Sequence, residues 1–186
     1  MLLFIYNIIF SIYIPNFGFS AISSILILIG IACCITIYGR YNILYSKNKD
    51  IIQIKNQESQ LNLGELIILY TNRTLHHFLT IFIFCIFISK QNVLLYILCI
   101  TNYVLTFINL LLLQNECPLS YLEKKILNKQ YILNSNKAEQ PYHIIVFGNK
   151  ENAIKYKQSI QYRSIVFLIL NSILVVRLYN HFSKNL

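Results

Sequence analysis

Residues 75–113 read LHHFLTIFIFCIFISKQNVLLYILCITNYVLTFINLLLL, two apolar runs joined by Lys90-Gln91-Asn92. Neither Leu75–Ser89 nor Val93–Leu113 contains an Asp, Glu, Lys or Arg. Each approaches the ~20 residues a helix needs to cross the hydrocarbon of a bilayer. A link of three residues leaves room only for an antiparallel helical hairpin. The rest of the chain reads outward from this hairpin.

Upstream, Met1–Gly39 contains no Asp, Glu, Lys, Arg or His. The turn sequence Pro15-Asn16-Phe17-Gly18 divides it into a short helix, Leu2–Ile14, and a full-length one, Ser20–Tyr38. The short one resembles a signal-peptide core but lacks a basic start and a small-x-small cleavage site, so it is read as uncleaved. Downstream, Ile165–Tyr179 is a last apolar run, interrupted only by Arg177. Only 12% of the 186 residues are charged, about half the share of an ordinary soluble domain. The expected fold is all-α, a polytopic helical membrane protein with four to five transmembrane helices and short interfacial helices. Its divisions are 1–39, an N-terminal helical hairpin; 40–74, a polar loop with an interfacial helix at Leu61–Tyr70; 75–113, the central hairpin; 114–162, a basic loop; and 163–186, a last helix and tail.

The net charge is +9, and its distribution says why. With the amino terminus inside, thirteen of the sixteen Lys and Arg fall in 40–74 and 114–163, on one side of the bilayer. The positive-inside rule makes that the cytoplasmic side and removes the need for a nucleic-acid partner. The partners expected are the lipid bilayer itself and anionic phospholipid headgroups, met by Lys124, Lys125 and Lys129. The five cysteines show no CxxC or Cys/His metal spacing, so neither a disulfide framework nor a metal site is expected. A strand and turn are read at His143–Phe147 and Gly148-Asn149.

Two stretches exceed this background. His76 and His77 open the third apolar run. Adjacent helical residues point about 100° apart, so the two are expected to face different partners. Beyond the fourth run stands Glu116-Cys117-Pro118-Leu119-Ser120-Tyr121-Leu122-Glu123. Pro118 ends one helix or starts another, and Ser120 with Glu123 has capping-box spacing. Leu119, Leu122 and Ile126 are the expected apolar face of the helix that follows. An antiparallel hairpin brings both stretches to one end, so one histidine is expected against Glu123, Glu116 or Cys117. His76, His77, Cys117, Pro118, Ser120 and Glu123 thus form the candidate cluster, either a pin for the hairpin or a site. No second histidine at matching depth suggests a haem or metal, and no cofactor is expected. Arg177 and the polar Asn102, Asn109 and Asn171 read as an interfacial anchor and interhelical hydrogen-bonding groups.

His77 followed about forty residues later by Cys117-Pro118-Leu119-Ser120 and Glu123 resembles small multi-pass membrane proteins of giant DNA viruses. It is similar, too, to a bacterial family of uncharacterised membrane proteins with a Cys-Pro-Leu-Thr…Glu signature. The likeness covers Arg73–Leu127 and implies a membrane protein of unknown activity. The chain holds no nucleophile elbow, P-loop or HExxH motif, and all seven acidic residues lie outside the confident spans. A structural or scaffolding role in a viral envelope or organelle membrane is therefore the first expectation. A membrane-embedded enzyme or lipid-binding protein built on the His/Cys/Glu cluster is the second, and a small subunit of a membrane complex the third.

Overall fold

The computed structural model describes residues 19–89, 92–113, 116–133, 141–158 and 160–183. The short helix expected at Leu2–Ile14 and the Lys90-Gln91 link lie outside them. All the regular structure among the described residues is helical, apart from one isolated bridge between Phe19 and Ser89.

Ser20 starts α1 (Ala21–Tyr45) by accepting the Ser23 amide at 3.1 Å. No proline or charge interrupts the helix before Arg40. Its buried positions are Ser24, Leu28, Ala32, Thr36, Gly39 and Ile43, one stripe at helical spacing. Large side chains point the other way: Ile22 is 73% exposed, Leu26 61% and Ile37 69%. Four of the six inward positions are small or weakly polar while large aliphatics point outward, which is unlike a helix folded in water. Among the described residues, α1 is the one helix long and apolar enough to cross a membrane, with a mean hydropathy of 2.4 over its best stretch.

Asn48 caps α2 (Lys49–Glu58), accepting the Asp50 amide at 2.8 Å. The next helix departs from the reading above. Leu61–Tyr70 and the third apolar run are not separate elements, because α3 runs unbroken over Leu63–Ile81. A capping box starts it: Asn62 Oδ1 accepts the Glu65 amide, and Glu65 Oε2 accepts the Asn62 amide. A 3-10 turn at Phe82–Phe84 links it to α4 (Cys85–Ile88). Next comes α5 (Val93–Leu112), in contact with α4.

Pro118 sits at the first turn of α6 (Pro118–Leu127), with Cys117 in the cap position. This corrects the capping box expected at Ser120 and Glu123. The helix starts earlier, since proline's missing N–H and fixed φ suit the first turn, and Ser120 lies inside it. The expected apolar face is corrected as well. Ser120, Glu123, Lys124 and Leu127 point inward, while Leu122 is exposed.

The strand expected at His143–Phe147 is likewise a helix, α7 (Pro141–Phe147). Pro141 opens it, Gly148 at φ 81° closes it, and burial of Ile144 and Ile145 outweighs their β propensity. The glycine takes the left-handed conformation that commonly ends helices. Two more helices follow, α8 (Lys150–Gln158) and α9 (Ile160–Ser183).

These helices build two apolar clusters. Leu28, Phe82, Cys85, Leu95, Tyr96, Cys99 and Leu174 join α1, α4, α5 and α9. Ile43, Ile51, Ile54, Leu69, Leu127, Ile144, Ile145 and Ala153 join the end of α1 to a cap made of α2, α6, α7 and α8. Between the clusters lies a polar layer.

Candidate functional site

The polar layer is centred on Arg73, 4% exposed on the inward face of α3. Its Nε donates to Glu123 Oε1 on α6 at 2.6 Å, and its Nη1 donates to Glu58 Oε1 on α2 at 2.6 Å. Glu58 Oε2 accepts from Arg40 Nη1 of α1 at 3.0 Å and from the Tyr70 hydroxyl at 2.8 Å. The Tyr70 ring lies within 5.5 Å of the Arg40 guanidinium carbon and 5.3 Å of that of Arg73. The half-exposed Arg40 brings a second guanidinium to the two carboxylates, so the charges cancel, which allows Arg73, Glu58 and Glu123 to be buried together.

Position in the layer sets the protonation of its members. Burial works against the charge on Arg73, but the charges and hydrogen bonds of Glu123 and Glu58 outweigh it and hold the guanidinium firmly protonated. Burial pushes the Glu123 carboxyl upward. The charge and hydrogen bond of Arg73 and the backbone N–H of Tyr142 pull against that rise. The Tyr70 hydroxyl is pushed up to about 12 by burial, by the Glu58 charge and by donating to that carboxylate.

A second buried pair stands beside the first. Lys124 Nζ donates to Glu116 Oε1 at 2.8 Å and to the Tyr131 hydroxyl at 3.1 Å, and that hydroxyl donates to Glu116. Lys124 is only 4% exposed, which corrects its expected place among the headgroup-facing lysines. Lys125 and Lys129 do face outward. Lys129 bridges to Glu65 at 3.0 Å.

The six residues singled out by sequence divide across this framework. His76 Nε2 lies 3.8 Å from Cys117 Sγ, so the two hairpin ends meet. Glu123 is a full step away, on Arg73. Pro118 shapes the start of α6, and Ser120 is completely buried between Cys117 and Glu123 on the same helical face. The separation expected for the two histidines is overturned. The Tyr142 ring from α7 reaches both, with centroids 4.1 Å from His76 and 5.6 Å from His77. An aromatic plane is broad enough to cover two adjacent helical positions. The His143 ring lies tilted against the same tyrosine, with centroids 3.9 Å apart.

Compared with family models, with curated proteins and with solved structures, the chain matches none. The chemistry must be read from the layer itself. Among the described residues, no group of three or more His, Cys, Asp or Glu side chains is arranged to hold a metal ion. The charges instead bind four helices to one another. Arg73, Glu58, Arg40 and Tyr70 were not among the residues singled out by sequence. Their signal was present in α3, where Leu69, Asn72, Arg73, His76 and His77 share one buried face. That polar stripe was hidden because the reading divided the segment at Thr74.

Proposed function

We propose that this chain is a multi-pass helical membrane protein with a structural role, its cap clamped to the membrane helices by the Arg73 charge layer. The observation that carries the reading is the pattern of α1, with large aliphatics outward and four of its six buried positions small or weakly polar. α5 likewise exposes large aliphatics, Leu94, Ile97, Val104, Leu105 and Leu112, while burying Leu95, Tyr96 and Cys99. At 1.5 Å per residue, Ala21 to Tyr41 spans about 30 Å, the thickness of a bilayer's hydrocarbon. Tyr38, Tyr41 and Tyr45 are exposed near its end, where an aromatic belt would meet the headgroups.

The proposed crossings are α1, residues 75–88 of α3 and α4, α5, and α9, with Leu2–Ile14 as a fifth. The cap lies on the basic, cytoplasmic side, where Lys125 and Lys129 face anionic headgroups. The likeness of the Cys117–Glu123 stretch to viral and bacterial membrane proteins is in keeping with this.

The test is topological. Single cysteines at Lys47 and Asn128 are expected to react with an impermeant maleimide from one side of sealed vesicles. Cysteines at Asn92 and Asn180 are expected to react from the other. Release of the protein by alkaline carbonate, or labelling of all four from one side, would falsify the multi-pass reading.

A second reading, a membrane-embedded enzyme or lipid-binding protein, is favoured by the 3.8 Å contact of Cys117 with His76, since an imidazole can activate a thiol. Cys117→Ser and His76→Gln separate the two. Loss of a lipid-modifying activity with normal insertion supports the enzyme, and loss of folded protein supports the clamp. A role as a small subunit would show as a native mass above that of the chain alone.

A further inference from the structure

Arg73 spends two of its three nitrogens on carboxylates, and the third, Nη2, is buried with no hydrogen-bond partner. An unmet donor on a buried cation is costly, so what it faces matters. Arg73 lines a small, partly open pocket of about 10 Å³, together with Thr36, Gly39 and the half-exposed Arg40 of α1, His77 of α3 and Tyr142 of α7. The size decides the class of ligand. It is about that of one water probe sphere, at the lower limit for holding a single water molecule. The polarity agrees. His77 is 9% exposed, and a neutral imidazole offers one acceptor nitrogen and one N–H.

We propose that this cavity is a binding site for one ordered water that accepts from Arg73 Nη2 and donates to the His77 imidazole. The water completes the guanidinium's hydrogen bonding and fixes the tautomer of His77. It also ties that histidine into the charge layer, which no direct contact does. The absence of a side chain at Gly39 keeps one wall open. A methyl there would meet Ile145 Cγ2 at 3.0 Å. The proposal stands whether or not the chain crosses a bilayer.

The full chain, labelled with ¹⁵N at its four arginines and four histidines, gives few enough signals to test this by water-edited NMR in detergent micelles. Magnetisation transfer from a slowly exchanging water to both the Arg73 guanidinium and the His77 ring is expected in the wild type. His77→Asn, which keeps an acceptor, should retain the transfer to Arg73, and His77→Leu should lose it. The wild-type spectrum alone suffices if a variant does not fold. No transfer at Arg73, undiminished transfer in His77→Leu, or a direct scalar coupling between Arg73 and His77 would overturn the proposal.

Discussion

Arg73 shows how strongly one side chain can depend on its partners. Removing one member of a buried ion pair costs about 3–5 kcal/mol, because the other charge is left stranded. Arg73→Ala is therefore expected to lower unfolding stability by that order, measured by denaturant titration in detergent. Replacing Arg73, Glu58 and Glu123 together by Met, Leu and Leu should recover at least half of the loss, because well-packed apolar groups of similar size often match a buried ion cluster. A triple variant no more stable than Arg73→Ala would mean the layer contributes more than mutual neutralisation. Tyr70 carries the pH dependence. Its hydroxyl is raised from an ordinary 10 to about 12. The folded state thus holds that proton more tightly than the unfolded chain. The resulting stability is complete below pH 10 and is lost as pH rises toward 12. Tyr70→Phe is expected to cost about 1 kcal/mol at neutral pH and to flatten the decline in stability between pH 10 and 12.

At the scale of the helix, two glycines of α1 give opposite expectations. Gly30 is exposed, with open space where a side chain would go. Gly30→Ala should stabilise the helix by roughly 0.5–1 kcal/mol through reduced backbone entropy. Gly39 is buried, and an added Cβ would press on Ile145, a 2% exposed residue. The α7 backbone cannot easily retreat, because Asn42 Nδ2 holds the Ile145 carbonyl at 3.0 Å. Gly39→Ala is thus expected to lower the thermal midpoint where Gly30→Ala raises it. The same helices show what was legible in advance. The approach of His76 to Cys117 was expected from the three-residue link between the two apolar runs. The run of β-branched Ile144, Ile145 and Val146 in α7 resembles a strand, while its punctuation, Pro141 in front and Gly148 behind, marks a helix. α6 was misread because its inward face is polar. That arrangement makes sense only when Arg73 stands opposite, and Arg73 is fifty residues from its α6 partner.

Across the whole molecule, two apolar clusters are separated by a layer in which nearly every charge finds an opposite. The overall helical fold was readable because charge-free runs can be counted along the chain. The layer was not, because its members come from α1, α2, α3 and α6, and no local spacing announces such a meeting. Its construction also has an order in time. Glu58 and Arg73 are only 15 residues apart, so their loop is cheap to close. Glu123 follows 50 residues after Arg73. During synthesis, the α2–α3 hairpin can therefore neutralise Arg73 before α6 has left the ribosome. The guanidinium would then enter its surroundings already paired, and α6 would dock last onto a half-satisfied arginine. In a synthesis-arrest series, Glu58→Gln is expected to impair membrane insertion of chains ending before residue 116. Glu123→Gln is expected to act only in chains long enough to include α6.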